Sequence, residues 1–198
     1  MKRWPSIAIG LALVLAASVC GIAQEPSMPA PQWSVGDMWT YAIQVPDQPR
    51  QIVTTVVIGA RDNDYTIRTI QSDGKYAVSS IPRGNMAISN VETLTWPLSV
   101  GQRWSGSYLE KSTNPPTPIK QEGTVDAYEL LTVPAGTFGA FRIVIRSCVD
   151  APQGACGNMR LWVAPQVKVA VKFEIDREQI WRALRGFTML LVAYAVAP

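Results

Sequence analysis

The sequence predicts an all-β protein, an antiparallel β-sandwich or curved half-barrel with at most one short helix. Hydrophobic residues make up 47% of the 198 residues, which is enough to fill a substantial core. Only 17% of the residues are charged, and Trp, Val, Ile, Thr and Tyr, which favour strands, are frequent. Short apolar runs separated by turn residues recur along the chain, a spacing typical of meandering antiparallel strands.

A hairpin over residues 130–145 is the clearest predicted element. Two apolar runs flank a Pro-Ala-Gly turn at residues 134–136, where the proline ends one strand and the glycine supplies a backbone conformation that a side chain resists. The runs extend into longer strands over residues 122–133 and 138–149. We interpret this hairpin as scaffold, because its apolar residues are expected to enter the core.

The other predicted strands show the same alternation, and an Asp-Gly pair at residues 73–74 is a strong hairpin signal between two of them. The last strand is apolar on both faces, so both faces must be covered, and a second layer of the same domain is the favoured cover. A helical turn or widened loop is expected at residues 179–184. These strands cover residues 39–45, 50–60, 65–71, 75–81, 86–91, 159–163, 167–176 and 187–196.

The phrase Ser-Val-Gly-x-x-Trp occurs twice, starting at Ser34 and at Ser99. One interpretation is a duplication that produced two similar halves. The favoured alternative is that a glycine turn followed by an inward Trp is a common way to enter a strand, because the residues around the two copies do not repeat.

Residues 1–23 are predicted to be a signal peptide. Two basic residues precede an apolar stretch, and a small-x-small cleavage site ends at Ala23. The stretch is shorter than the roughly 20 residues of a membrane helix, so an uncleaved anchor is the less favoured alternative and no membrane span is expected after cleavage. Lipid attachment at Cys20 is disfavoured because Val19 departs from the bacterial lipobox. The expected location is the periplasm or the extracellular space.

Residues 24–32 contain three prolines and are predicted to be a flexible tether that cannot pair in a sheet. A single antiparallel β-domain is predicted over residues 33–198. The leader carries two of the 18 basic residues and none of the 15 acidic ones, so the mature chain is close to neutral. Because it has no basic run, neither nucleic acid nor an anionic lipid surface is an expected partner.

Cys148 and Cys156 remain once the leader is removed, and they are predicted to form a disulfide. Export to an oxidising compartment favours their pairing, and a tight loop between two strands would place them face to face. A zinc site is a weak alternative because the chain contains no His. The spacing is also not that of a CxxC redox pair.

No reaction centre is predicted, and no cofactor or metal. Without His, the Ser-His-Asp and Cys-His constellations are excluded. The carboxylates of Glu174, Asp176 and Glu178 are interpreted as the solvated outer face of a strand. The Asp-Asn-Asp run at residues 62–64 is interpreted as a turn, because it lacks the later Gly and Glu of a calcium loop.

Aromatic residues that enter strands could line a ligand cleft, although such residues form the core of most β proteins. The candidate ligand-lining residues are Trp39, Tyr41, Trp104, Tyr108 and Trp162.

Two stretches carry a resemblance to a known family: Thr-Val-Pro-Ala-Gly-Thr-Phe at residues 132–138 and Leu-Trp-Val-Ala-Pro-Gln-Val-Lys-Val-Ala-Val-Lys-Phe-Glu at residues 161–174. Over residues 33–198 the chain resembles the TapB-like family of exported bacterial domains of unknown function. It departs at Val163, where the family often has Tyr, and at Lys168, where it usually has Gly. The resemblance implies an exported antiparallel β-domain, similar in shape to curved sheets that carry lipid or lipoprotein chains.

Two functions remain open. The first is an exported, non-enzymatic domain that binds an apolar or amphiphilic ligand, such as a lipid, within the curve of its sheet. The second is a structural or assembly subunit of a cell-envelope machine of the pilus or secretion type, which docks another protein on an exposed sheet edge or on the tether. A hydrolase is disfavoured because its usual residues are missing.

Overall fold

The computed structural model describes residues 26–84, 94–110, 115–152, 154–176 and 186–197. The predicted signal peptide, the strand at 86–91 and the helical turn at 179–184 lie outside these residues. The described part of the chain contains strands and no helix, as the predicted fold class requires. The strands are β1 (Ser27–Met28), β2 (Met38–Gln44), β3 (Gln51–Ala60), β4 (Asp64–Gln71), β5 (Tyr76–Pro82), β6 (Leu98–Ser99), β7 (Arg103–Glu110), β8 (Thr117–Val133), β9 (Gly136–Val149), β10 (Cys156–Ala164), β11 (Val169–Ile175) and β12 (Thr188–Ala195).

Ten of these strands form one antiparallel sheet in the order β5-β4-β3-β2-β12-β11-β10-β9-β8-β7, and β1 pairs with β6 in a small second sheet. The large sheet consists of two meanders, β2–β5 and β7–β12, which are joined where β12 pairs with β2. The predicted hairpin is confirmed as the β8–β9 pair, whose register runs from Ile119 opposite Val149 to Val133 opposite Gly136. Among the described strands, β5 and β7 are the two edges of this sheet.

A first hydrophobic cluster packs the two meanders against each other. The indole N–H of Trp39 donates to the carbonyl of Val167 at 2.8 Å, and that of Trp33 donates to the carbonyl of Lys168 at 3.1 Å. These bonds link the start of the first meander to the β10–β11 turn. The buried members are Trp33, Trp39, Tyr41, Val57, Tyr65, Ile67, Val133, Phe138, Ala140, Trp162, Ala164, Val167, Val169, Val171 and Leu191.

A second cluster also draws on strands β9 to β11, so these central strands contribute buried side chains to both clusters. The small β1–β6 sheet helps to cover it, with Met28 and Leu98 buried. Burying a large apolar side chain of this kind contributes about 1.5–3 kcal/mol. The buried members are Met28, Leu98, Val125, Phe141, Ile143, Ile145, Met159, Leu161, Val163, Ala170, Phe173 and Ile175.

The structure corrects the prediction for the proline-rich segment. Ser27 and Met28 pair with Ser99 and Leu98, so the expectation that residues 24–32 cannot pair in a sheet is wrong for these two residues. The segment is held because Met28, only 3% exposed, packs into the second cluster. Prolines exclude a residue from the middle of a sheet but leave room for a two-residue pairing between them.

Both copies of Ser-Val-Gly-x-x-Trp form the same turn. In each copy the glycine has a positive φ, its amide donates to the carbonyl of a valine on a long strand, and the amide of that valine donates to the carbonyl of the residue after the glycine. The three residues are Gly36, Val57 and Asp37 in the first copy and Gly101, Val125 and Gln102 in the second.

The match between the two copies extends into the strands that follow. The register shifts immediately after Val57 in the β3–β4 ladder and immediately after Val125 in the β8–β9 ladder, and both valines are fully buried. Strands β2, β3, β4 and β5 therefore correspond to β7, β8, β9 and β10. This correspondence favours the interpretation of two similar halves, which the flanking sequence did not favour.

A buried ion pair fastens the end of β12 to the start of β2. The Asp37 carboxylate, whose side chain is 0% exposed, accepts the amide N–H groups of Ser34 at 2.9 Å and Ala197 at 2.7 Å. The Lys168 ammonium lies 3.5 Å from this carboxylate and donates to the carbonyl of Ala197 at 2.8 Å. The ion pair gives a physical reason for a lysine at position 168.

The backbone at Lys168 has a φ of 63°, a left-handed conformation that is strained for every residue except glycine. We expect Lys168→Ala to lose the ion pair and keep the strain, whereas Lys168→Gly loses the ion pair and relieves the strain. The glycine variant should therefore be the more stable of the two, by about 1 kcal/mol. Urea unfolding of both variants measures the difference, and equal stabilities would contradict it.

Removing the Asp37 carboxylate should lower the free energy of unfolding more than removing the Lys168 ammonium. Asp37→Ala takes away the acceptor of two amides and leaves the partly buried Lys168 without its counter-charge. We expect the free energy of unfolding to fall by about 3 kcal/mol, which the urea midpoint reports. Ser34→Ala keeps the backbone amide and serves as the matched control.

Candidate functional site

Three of the five predicted ligand-lining residues lie in the first hydrophobic cluster. Trp39, Tyr41 and Trp162 are all buried there. The hydroxyl of Tyr41 donates to the carbonyl of Ala170 at 3.1 Å, and the indole N–H of Trp162 donates to Glu129 Oε1 at 2.7 Å. Their polar atoms are thus used within the protein. Their role in ligand binding stays a prediction.

The other two residues lie elsewhere, on the edge strand β7. Trp104 is half-buried against the second cluster and covers Gly123 so closely that a Cβ at this glycine would overlap the indole. Its indole nitrogen is buried and has no hydrogen-bond partner among the residues that the structure describes. Tyr108 is half-buried opposite Ile119. The structure therefore does not bring the five predicted residues together in one site.

A charged groove of about 510 Å³ opens beside Trp162. It lies across strands β9, β10 and β11. One row of cross-strand neighbours in it consists of Arg142, Trp162 and Lys172, and the next row consists of Val144, Arg160 and Glu174. The lining residues are Asp126, Arg142, Val144, Asn158, Arg160, Trp162, Lys172, Glu174 and Asp176.

Ion pairs within the sheet engage the three cations of this charged groove. Arg142 Nε lies 2.9 Å from Asp126 Oδ1, and a second nitrogen lies 3.2 Å from Glu129. The hydrogen bond to Asp126 is the main cause that raises the pKa of Arg142 above its usual value. Lys172 pairs with Glu174 at 2.6 Å.

Arg160 is the third cation. It pairs with Glu174 on β11 and with Asp176, which directly follows β11. It lies 2.6 Å from Asp176 and 3.4 Å from Glu174, although the geometry to Glu174 is not that of a hydrogen bond. From the sequence alone, these two acids are expected to be solvated. The structure shows them paired across strands, which spacing along one strand could not indicate. Glu178 lies outside the described residues.

The disulfide between Cys148 and Cys156 is present and links β9 to β10, where the two cysteines are directly opposite. It closes the loop between these strands. Each cysteine is half-buried. The pairing removes both thiols as nucleophiles or metal ligands.

The outer edge of β5 has no neighbouring strand among the described residues. The amide of Arg83 donates back to the carbonyl of Asn63, and the β4–β5 register has no shift. Arg83 and Asn63 are therefore a hydrogen-bonded pair, and such pairs alternate with non-hydrogen-bonded pairs along an antiparallel ladder. Tyr76, Val78 and Ser80 belong to the non-hydrogen-bonded pairs, so their backbone N–H and C=O groups point away from β4. These three residues therefore offer three donors and three acceptors to an added strand.

Apolar side chains and one cation accompany this edge. Tyr76 is 67% exposed and Val78 is 52% exposed. Arg68 lies opposite Val78 on β4, and its guanidinium carbon is 5.4 Å from the centre of the Tyr76 ring. The ion pairs found among the described residues do not include Arg68.

Two further features are absent from the described part of the chain. No group of three or more carboxylate, thiol or imidazole side chains there is arranged to hold a metal ion. The same residues contain no helix with the length and apolar character to span a membrane.

No protein-family model and no curated protein matches the chain. Solved structures with a similar outline include a candidate lipoprotein from Parabacteroides distasonis, with 11% identity, a TM-score of 0.48 and coverage of 85% of this chain and 99% of that one. A candidate exported protein of YmcC-like fold from Bacteroides fragilis shows 13% identity and a TM-score of 0.44, again over 85% and 99%. The hypothetical lipoprotein YmcC from Escherichia coli shows 12% identity and a TM-score of 0.48, over 82% and 85%.

These similarities are too distant to indicate a function. The resemblance to TapB-like proteins is not confirmed by them and stays a prediction.

Reduction of the Cys148–Cys156 disulfide should lower stability without unfolding the protein at room temperature. Closing a short loop restricts the unfolded chain, so we expect a loss of about 2–3 kcal/mol on reduction. The urea midpoint with and without reductant measures it. A double Cys148→Ala, Cys156→Ala variant should have the midpoint of the reduced wild type, both with and without reductant. A variant midpoint equal to that of the oxidised wild type would contradict the prediction.

Burial raises the pKa of Tyr41 above its ordinary value of about 10. Above that pH the unfolded state loses the proton while the folded state retains it, so the stability present below pH about 10 falls as the pH rises toward the folded value. We expect Tyr41→Phe to remove up to about 1.4 kcal/mol per pH unit from this alkaline slope. Urea unfolding between pH 9 and 11, compared with Tyr194→Phe at an exposed tyrosine, tests it.

Proposed function

We propose that this protein is an exported, non-enzymatic domain that docks an extended segment of another envelope protein along the edge of β5. The carrying observation is that β5, among the described residues, is an open sheet edge, and that it has exposed apolar side chains and no charged residue. Backbone hydrogen bonds would supply affinity, and the alternating side chains would supply specificity.

The composition of β5 is unusual for an unprotected edge. Natural sheets guard their edges with charged residues, bulges or prolines, because an open edge pairs with other chains. Strand β5 has the sequence Tyr-Ala-Val-Ser-Ser-Ile-Pro, with one proline at its end. The opposite edge strand β7 carries Arg103 and Glu110 within it. Protection is therefore weaker at β5, as a docking edge requires.

The charges that flank β5 are already engaged. Lys75 forms an ion pair with Asp73 at 2.7 Å, and this hydrogen bond is the main cause that lowers the pKa of Asp73. The guanidinium of Arg83 packs over the ring of Tyr65 at 4.6 Å. Neither cation is directed along the open edge as a guard.

Export and the lack of catalysis are supported by the chemistry of the chain. A disulfide persists in oxidising compartments, which agrees with the predicted signal peptide. The chain has no His, and its two mature cysteines are joined, so the usual nucleophile and base pairs are missing.

An apolar ligand within the curved sheet is less well supported. Three of the five aromatic residues expected to line it, Trp39, Tyr41 and Trp162, fill the first cluster with their own rings. The indole N–H of Trp39 and the hydroxyl of Tyr41 donate to backbone carbonyls. The charged groove beside Trp162 is lined largely by ion pairs, which do not suit a lipid tail. Partner docking therefore remains the function that we propose.

The proposal predicts that a proline at one outward-facing position blocks docking. Ser80→Pro removes an N–H that β4 does not use, so the domain should stay folded while the added strand loses a hydrogen bond and meets the proline ring. A photoreactive residue at Val78 in the native host should give a crosslinked product of higher mass. We expect Ser80→Pro to reduce this product at least about tenfold.

Ser80→Ala, which keeps the N–H, is the matched control and should crosslink like the wild type. A photoreactive residue at Thr132, exposed on β8, controls for random collisions. Equal crosslinking by the proline and alanine variants, with both folded by circular dichroism, would contradict docking on this edge.

A further inference from the structure

The correspondence between the two meanders shows what an added strand on β5 would meet. Strand β10 is the counterpart of β5, and its outer edge is occupied by β11. Val57 lies opposite Ile67, which lies opposite Ser79 on β5. In the same way, Val125 lies opposite Ile143, which lies opposite Leu161 on β10. Ser79 therefore corresponds to Leu161, so Val78 corresponds to Arg160 and Ser80 to Trp162.

The outward backbone groups correspond as well. The amide of Asp176 donates to the carbonyl of Asn158, so alternate residues of β10, including Arg160, direct their backbone groups to β11. These are the counterparts of Tyr76 and Val78, whose groups face outward on β5. The second meander therefore has a strand at the position that no described strand occupies in the first.

Strand β11 brings carboxylates to that position. Glu174 lies opposite Arg160, and Asp176 follows it beside Asn158. Both acids pair with the Arg160 guanidinium, at 3.4 and 2.6 Å. The strand that completes β10 thus carries acidic residues that neutralise a cation of the sheet.

A cation also lies near the open edge of β5, but on β4, one strand further from the edge than Arg160 is on β10. Arg68 lies on the same face as Tyr76 and Val78, and its guanidinium leans over Tyr76, toward the edge. Strands are about 4.8 Å apart, so an added strand lies about 10 Å from β4, within the combined reach of an arginine and a glutamate side chain. The two cations that flank β5 are engaged elsewhere, Lys75 by Asp73 and Arg83 by the carbonyl of Arg61 and the hydroxyl of Tyr65. Asp64 lies on the same face of β4 but opposite Pro82, at the other end of the edge.

From these observations we infer that the segment docked on β5 is acidic: it is an extended strand with a carboxylate opposite Tyr76 or Val78, facing Arg68, and apolar residues beside it. This inference rests on the proposed strand docking and adds the chemical class of the partner. Arg68 is then the residue that selects the partner, while the backbone of β5 binds it.

A pair of synthetic peptides tests the inference on the purified mature chain. The acidic probe is Val-Ala-Val-Lys-Phe-Glu-Ile-Asp, the sequence of residues 169–176, and the basic probe has Lys in place of its Glu and Asp. We expect the acidic probe to bind roughly fivefold more tightly, since opposite charges attract and like charges repel across strands. Arg68→Glu should reverse the order, and Arg68→Gln should abolish the preference.

The outcomes separate the inference from the proposed function. Equal binding of both probes to the wild type, with loss of both in Ser80→Pro, would overturn the acidic partner and leave strand docking intact. Binding of neither probe would overturn both. A crosslink from Val78 to residues 86–91 of the same chain would show that the edge is occupied internally, which also overturns the inference.

Discussion

The pairing of β12 with β2 is the contact on which the rest of the large sheet depends. Every other ladder of that sheet joins strands that are consecutive along the described chain, so each meander is local, whereas β12 and β2 lie about 150 residues apart in the sequence. Closing so long a loop costs entropy. The cost is offset where the first cluster packs the two meanders together and where Asp37 holds Ala197 and Lys168.

This junction explains why the conspicuous aromatic residues serve the fold. Trp33 and Trp39 cross from the first meander to the β10–β11 turn and donate to its carbonyls. A turn with a left-handed residue presents free carbonyl groups, and a buried carbonyl needs a donor. Lys168 is the left-handed residue of this turn, and its ammonium reaches Asp37 from there.

The two similar halves end differently, and the proposed function lies in that difference. The fourth strand of the second meander, β10, is paired on both sides, and ion pairs cross from it to β11. The fourth strand of the first, β5, is paired on one side only among the described residues. An edge that keeps apolar side chains and lacks charge is exposed to pairing with another chain, which is a hazard unless a partner uses it.

The sequence by itself determined the all-β class, the β8–β9 hairpin and the disulfide, because alternation, turn residues and cysteine spacing are local signals. Tertiary structure alone decided which aromatic residues meet. Trp39 and Trp162 share a cluster while Trp104 lies on another, since this depends on the distant pairing of β12 with β2. It also decided that Ser27 and Met28 pair with β6, that Arg160 meets Asp176, and that β5 is an edge. The residue pattern of one strand does not indicate which strand lies beside it, because the alternation of side chains specifies only which face of the strand is buried.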